Sequence, residues 1–72
     1  MEQHHHEYKN SEVIEIVNEY IHSQRDRGIM IRRLVDMATL EQLAEEFDMS
    51  VSQIKRIVYR NAEIVFRHIP PQ

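Results

Sequence analysis

The clearest pattern of hydrophobic and polar positions lies between residues 40 and 58. Apolar side chains recur there at the three- and four-residue intervals of an α-helix, in two short runs. The members of these runs are Leu40, Leu43, Ala44 and Phe47, followed by Ile54, Ile57 and Val58. The connection between the runs is short and mostly polar. The pattern therefore predicts two amphipathic helices joined by a sharp turn, with Met49 packed between them.

Both predicted helix starts carry a capping-box sequence. Thr39 precedes Gln42 by three residues, and Ser50 precedes Gln53 in the same way. In such a box the hydroxyl accepts a backbone N–H bond while the Gln side chain accepts one from the capping residue. Asp48 stands in the turn, where a left-handed backbone is common and Asp is better tolerated than most residues. This arrangement is typical of a helix-turn-helix, although an αα-hairpin in an ordinary bundle has the same spacing.

Two further helices are predicted upstream. Ser11 can cap a helix that runs to about Ser23, and Ser23 with Asp26 forms a weaker capping box for a helix that ends near residue 36 or 37. The apolar positions of the second of these are Ile29, Met30, Ile31, Leu34, Val35 and Met37. Gly28 lies inside it at a cost of about 1 kcal/mol relative to Ala, unless the missing side chain permits a close helix contact. With a last helix from Ser50 to about residue 68, the chain is predicted to be all-α, a compact four-helix domain.

Composition limits the alternatives. The 72 residues include one Gly, two Pro and no Cys, so disulfides and thiolate metal sites are excluded. No apolar run is long enough to span a membrane and no signal-peptide pattern is present, which leads us to expect a cytoplasmic protein. We assign residues 1–10 to a flexible polar tail, residues 11–69 to a single domain and residues 70–72 to a short tail. A domain of this size buries roughly 60% of the surface of its unfolded chain.

The distribution of charge is more informative than its sum. The net charge of −3 argues against a nucleic-acid partner. However, residues 1–48 contain 5 Lys or Arg and 11 Asp or Glu, whereas residues 49–72 contain 4 and 1. The positive charge is therefore concentrated on and after the second helix of the motif, where a helix that binds a DNA groove needs it.

The outer face of the last helix provides candidate DNA-binding residues. At about 100° per residue, its apolar side chains fall on one side and a polar, basic set falls on the other. In its first turns that set contains Ser52, Gln53, Lys55, Arg56, Tyr59 and Arg60. Arg and Lys bind guanine or phosphate, Gln binds adenine, and Ser or Tyr binds phosphate. The N-terminus of the helix can itself receive a phosphate.

Other charged clusters have less specific interpretations. Four basic residues of the second helix either pair with local acids or contact phosphate or a partner protein: Arg25, Arg27, Arg32 and Arg33. The acids of the third helix are expected on a solvated surface, because acid–base catalysis needs carboxylates in a cleft. They are Glu41, Glu45 and Glu46.

No metal, cofactor or catalytic site is predicted. His4-His5-His6 lies in the tail, and consecutive residues need further ligands to enclose a metal. His22 and His68 are isolated in sequence, so solvated or capping roles are expected for them. Because we find no nucleophile–base pair and no phosphate-cradling loop, we do not expect an enzyme.

Two stretches of the chain resemble region 4 of the sigma-70 family. They are RDRGIMIRR, which starts at Arg25, and TLEQLAEEFDMSVSQIKRI, which starts at Thr39. The family has an Arg-x-Arg helix, a helix containing Leu/Ile-Ala-Glu-Glu, a turn, and a helix of the type Ser-Val-x-x-Val/Ile-Lys. The resemblance covers roughly residues 20–69. The chain is also similar to short sigma-like proteins of prophages and mobile elements in Gram-positive bacteria.

This resemblance implies a function in transcription. Region 4 recognises the −35 promoter element and contacts the flap of RNA polymerase, so double-stranded DNA and RNA polymerase are the implied partners. It adds two residues, Ser50 and Val51, to the DNA-binding positions. The 72 residues have no room for the promoter-melting region of a complete sigma factor. Val51 and Ser52 also stand where the family often has charged base-contacting residues.

We therefore expect sequence-specific binding of double-stranded DNA by a small transcriptional regulator or sigma-like accessory factor. The alternative is a sigma-like interaction module that binds RNA polymerase or another protein without recognising DNA. Both a monomer and a homodimer are open. The apolar end of the last helix suits packing against the first helix and could also form a dimer seam; its members are Ile64, Val65, Phe66 and Ile69.

Overall fold

The structure, a computed structural model, describes residues 9–69. It contains four helices in this range: α1 (Asn10–Tyr20), α2 (Gln24–Leu34), α3 (Leu40–Glu46) and α4 (Val51–His68). Residues 9–69 include no β-strand. The all-α class and the number of helices are thus confirmed for the described part of the chain.

The core is formed by the inner faces of all four helices. Its largest fully buried side chains are Val17, Ile29, Met30, Leu43, Ile54 and Val65. Burial of one such side chain stabilises a fold by about 1.5–3 kcal/mol. α4 has 18 residues and contacts each of the other three helices. At 1.5 Å per residue it is about 27 Å long, so one face of α4 covers the core along its length and the opposite face is left to solvent.

The connection between α3 and α4 is ordered by its own backbone. Phe47 is the C-cap of α3, and Asp48 follows with φ 56°. The Met49 N–H then donates to the Ala44 carbonyl at 2.9 Å. This is the hydrogen bond of a Schellman motif that spans six residues. Met49 is half-buried against the core. These observations confirm the left-handed conformation of Asp48 and show that Met49 packs against the core.

The glycine of α2 lies at a close contact. A Cβ added to Gly28 would stand 3.3 Å from Cζ of Phe47, tighter than ordinary van der Waals contact. The missing side chain therefore lets α2 approach the end of α3, as the sequence analysis anticipated.

The predicted limits of α1 were wrong at both ends. α1 begins at Asn10, and its N-cap Lys9 makes no side-chain capping bond. Ser11 therefore lies inside the first turn and does not cap the helix, and Asn10 belongs to α1 rather than to the tail. α1 ends at Tyr20 because Ile21 is extended (φ −108°, ψ 114°) while its side chain stays buried. The remaining tail predictions, for residues 1–8 and 70–72, lie outside the described residues.

The predicted end of α2 was also too late. α2 ends at Leu34, and the chain then turns through Met37, which has φ 61° and is 76% exposed. Met37 is therefore not part of the apolar stripe; Ala38 is the buried residue in this turn. Only half of the predicted capping box is formed at the start of α2. Ser23 Oγ accepts a hydrogen bond from the Asp26 N–H at 3.2 Å, but the Asp26 carboxylate has other partners.

No helix within residues 9–69 combines the length and the apolar character that a bilayer-spanning segment requires.

Candidate nucleic-acid interface

The first half of α4 exposes all of the predicted DNA-binding residues. Its inner face is buried through Ile54, Ile57 and Val58, which fixes the rotation of the helix on the core. The exposed residues are Ser50, Val51, Ser52, Gln53, Lys55, Arg56, Tyr59 and Arg60. They lie at the N-cap and along the solvent side of one rigid helix. This common surface is available to a large ligand.

The N-terminus of α4 is closed by the predicted capping box. Gln53 N–H donates to Ser50 Oγ at 3.1 Å, and Ser50 N–H donates to Gln53 Oε1 at 3.0 Å. The Ser50 hydroxyl also lies 3.2 Å from the same Oε1 atom. Because adenine is recognised by the oxygen and the amide nitrogen of Gln together, Gln53 can bind adenine in this way only if the box opens. Its amide N–H groups have no such restriction.

The box at α3 has the same form. Thr39 N–H donates to Gln42 Oε1 at 2.8 Å, and Gln42 N–H donates to Thr39 Oγ1 at 3.0 Å. Both predicted capping boxes are thus confirmed.

The basic side chains of α4 differ in their surroundings. The Lys55 ammonium lies 5.7 Å from the centroid of the Tyr59 ring, within the range of a cation–π contact. Arg60 Nη2 lies 3.6 Å from the Asp26 carboxylate. Within residues 9–69, the Arg56 side chain has no hydrogen bond or ion pair. Of the basic residues on this face, Arg56 therefore breaks the fewest contacts within the protein when it binds an anion.

A buried polar cluster joins α2 to α4 behind this face. Asp26 and Asn61 are both buried, and Asn61 Nδ2 donates to Ile57 O at 2.9 Å and to Asp26 Oδ2 at 3.4 Å. The other Asp26 oxygen accepts from Arg25 Nε at 3.2 Å. This cluster was not predicted from the sequence, where Asp26 was assigned only to a capping box. The available signal was Asn61, a polar residue on the otherwise apolar side of α4.

The basic residues of α2 are mostly engaged inside the domain. Arg27 Nε donates to the Ile21 carbonyl, and Arg33 Nη1 donates to the Ala38 carbonyl at 2.8 Å. Arg27 and Arg33 thus hold the two turns that flank α2. Such bonds leave them less available for phosphate or a partner protein.

Arg32 bridges α2 to α3. It binds Glu46 through Nε at 3.0 Å and Asp36 through Nη1 at 3.1 Å. Its hydrogen bonds to Asp36 and Glu46 raise the pKa of the Arg32 guanidinium above its usual value. For Arg32, the interpretation as a solvated side chain paired with local acids is correct.

Arg25 is the exception in α2. It lies beside Asp26, keeps 54% of its side chain exposed and lines an open depression together with residues of α4. The depression is about 220 Å³ in volume, and its lining is Arg25, Met49, Gln53, Arg56, Ile57 and Arg60. Tertiary packing thus adds a basic residue from a second helix to the predicted face.

The acidic side chains of α3 are solvent-exposed, as predicted. Glu41, Glu45 and Glu46 all lie on its outer face, and Glu46 is the partner of Arg32. Among residues 9–69, no three His, Asp or Glu side chains are grouped closely enough to hold a metal ion. His4, His5 and His6 lie outside the described residues.

The far end of α4 carries a contact that was not predicted. His68 stacks on Tyr20 at the end of α1, with ring centroids 3.7 Å apart and planes 4° from parallel. His68 is exposed, as expected for a solvated side chain, and the stacking on Tyr20 is an addition to that expectation. Val65 is fully buried, and Ile64 and Ile69 are half-buried, so this part of α4 packs on the domain and contacts α1.

Comparison with known proteins identifies no relative, since no protein-family model, curated protein or solved structure matches the chain.

Proposed function

We propose that this protein binds double-stranded DNA through a helix-turn-helix formed by α3, the connection at residues 47–50 and α4. The first half of α4 enters the major groove, which accepts an α-helix. Lys55, Arg56 and Arg60 bind phosphates or base edges, and Ser52 and Tyr59 add polar contacts. In this role the protein is a small bacterial transcriptional regulator or a sigma-like accessory factor.

One observation carries the proposal: the basic face of α4 is exposed in its first three turns while the opposite face is anchored in the core. A helix that reads a groove needs both properties, because phosphate and base contacts position the protein only if the helix itself cannot rotate. An αα-hairpin in an ordinary bundle needs neither a basic outer face nor a closely capped N-terminus.

The resemblance to region 4 of the sigma-70 family supports the same proposal and extends it to RNA polymerase as a second partner. The resemblance supports the proposal only through the residues of the two motifs. Single-module binding as a monomer follows the region 4 pattern, whereas a homodimer would double the contacts and impose two-fold symmetry on the site.

The test is selection from a pool of random duplex DNA with the purified protein at two salt concentrations, followed by sequencing. We expect an enriched motif and an affinity that falls steeply with salt, since each neutralised phosphate contributes about 0.9 to the slope of log K against log salt. A palindromic motif indicates a dimer, and an asymmetric one indicates a monomer. No enrichment and negligible binding at low salt would refute the proposal and favour the protein-interaction alternative, with RNA polymerase as the first partner to test.

The variant Arg56→Ala tests the placement of α4. It is expected to weaken binding to the enriched duplex by about fivefold or more, because a lost contact of Arg costs about 1–3 kcal/mol. Arg67→Ala is the matched control: it removes the same charge from an exposed position of α4 that lies about 16 Å farther along the helix. Equal affinities of the two variants would argue against this orientation of α4.

A further inference from the structure

The depression beside α4 has the shape and charge of an anion site. It is an open volume of about 220 Å³ between the first turn of α2 and the first half of α4. One water molecule occupies about 30 Å³ of liquid, so a phosphate group fits with room for solvent. Three arginines are among the residues that line it: Arg25, Arg56 and Arg60.

Among residues 9–69, Asp26 is the carboxylate that pairs with these arginines, and its single charge leaves most of their positive charge unneutralised. The Asp26 side chain is 8% exposed and lies beneath the arginines. It accepts a hydrogen bond from Arg25 Nε at 3.2 Å and forms an ion pair with Arg60, whose Nη2 lies 3.6 Å away. Each guanidinium has five N–H donors, so Asp26 cannot occupy all those of Arg25 and Arg60, whose side chains are 54% and 60% exposed.

The other basic residues of α2 provide the contrast. Arg27 and Arg33 bind backbone carbonyls of the neighbouring turns, and Arg32 binds Glu46 and Asp36. Arg25 alone in α2 lines the depression with residues of α4. Its position is explained by Asp26 and Asn61, which tie the first turn of α2 to the middle of α4.

We propose that this depression binds one phosphate of the DNA backbone, with Arg25 of α2 joining Arg56 and Arg60 of α4 as its ligands. The proposal rests on the proposed function, since the occupant is the strand that flanks the groove entered by α4. Arginine suits the site because its planar fork pairs with two phosphate oxygens. Asp26 is a positioning residue that orients Arg25 and Arg60 and does not touch the phosphate. A backbone contact of this kind fixes the register of the protein without specifying bases.

The experiment uses the full chain and the duplex enriched by selection. Arg25→Ala is expected to weaken binding roughly five- to tenfold at 0.1 M salt and to lower the salt slope by at most about 0.9, the contribution of one phosphate, because Arg56 and Arg60 remain. The enriched sequence is expected to stay the same, because the contact is to the backbone. Arg25→Lys keeps the charge and loses the fork, so an intermediate affinity is expected. Arg67→Ala is the control for loss of charge at a distance, and thermal unfolding of each variant verifies the fold.

A duplex with neutral methylphosphonate groups, placed one at a time along both strands, identifies the phosphate itself. At one position we expect the methylphosphonate to cost Arg25→Ala less affinity than it costs wild-type protein, because only Arg56 and Arg60 contact that phosphate in the variant. If wild-type protein binds the duplex and Arg25→Ala has the same affinity and slope as wild type, the phosphate site is refuted while DNA binding stands. The phosphate site is likewise refuted if Arg25→Ala binds more weakly than wild type but its loss of affinity simply adds to the loss caused by the methylphosphonate at every position. If wild-type protein binds no duplex at all, both proposals fail.

Discussion

The change Gln53→Glu separates the structural role of residue 53 from its role at the DNA interface. In the structure Gln53 Oε1 accepts from the Ser50 N–H at 3.0 Å and lies 3.2 Å from the Ser50 hydroxyl. A Glu carboxylate can accept both bonds, since Glu and Gln serve equally at this position of a capping box. The amide donors of Gln53 are lost, and a negative charge is added to the face that we propose meets DNA.

The two effects have opposite signs. A carboxylate in the first turn interacts favourably with the helix dipole, typically by 0.3–1 kcal/mol. We therefore expect Gln53→Glu to increase the free energy of unfolding by about 0.5 kcal/mol, equivalent to about 2–4 °C in Tm for a domain of 60–100 residues. Affinity for the enriched duplex is expected to fall about tenfold, because a hydrogen bond from the Gln53 amide worth about 0.5–1.5 kcal/mol is lost and charge repulsion is added.

The matched variant is Gln53→Ala. It removes the bond to the Ser50 N–H and the charge remains unchanged, so it is expected to destabilise the fold by about 0.5–1.5 kcal/mol and to weaken DNA binding less than Glu does. Stability is measured by thermal and urea unfolding followed by circular dichroism, and affinity by titration of labelled duplex. Wild-type affinity in Gln53→Glu would remove this end of α4 from the interface. A Tm of Gln53→Glu no higher than that of Gln53→Ala would show that the capping box does not contribute as argued.

Two further predictions concern the packing around α3. At Asp48, whose φ is 56°, Ala should be less stable than Gly by about 1 kcal/mol in urea unfolding, because the left-handed conformation penalises a Cβ; equal stabilities would indicate that the turn rearranges. Gly28→Ala should raise the free energy of unfolding by about 1 kcal/mol, its gain in helix propensity, when Phe47 is replaced by Leu. In the wild-type background the gain should be smaller, because the added Cβ meets Phe47 Cζ at 3.3 Å. A double-mutant cycle that shows no coupling between the two positions would contradict this contact.

Much of the fold follows from local sequence. The capping boxes of α3 and α4 join residues three positions apart, so the same short segment contains both partners and determines where the helix starts. The apolar spacing determines which side of α4 is buried, and hence that Lys55, Arg56 and Tyr59 are exposed. Where such local signals are weak, prediction failed: α1 has no side-chain cap, and its start could not be located from Ser11.

Tertiary packing decided what the local pattern leaves open. The sequence assigns four arginines to one helix and does not say which of them is available to a ligand, because their partners come from other elements. Arg32 meets Glu46 across 14 positions of the chain, and Asp26 meets Asn61 across 35. The stacking of Tyr20 on His68 likewise needs the two helix ends to be brought together.

The outer face of α4 was therefore determined by sequence alone, whereas the addition of Arg25 to that face was decided only by the packing of α2 against α4. The physical reason is the distance along the chain over which each kind of interaction acts. Helix periodicity and capping act within one or two turns, while the surroundings of a long charged side chain depend on which distant carboxylates, amides and carbonyls the fold brings within hydrogen-bond distance.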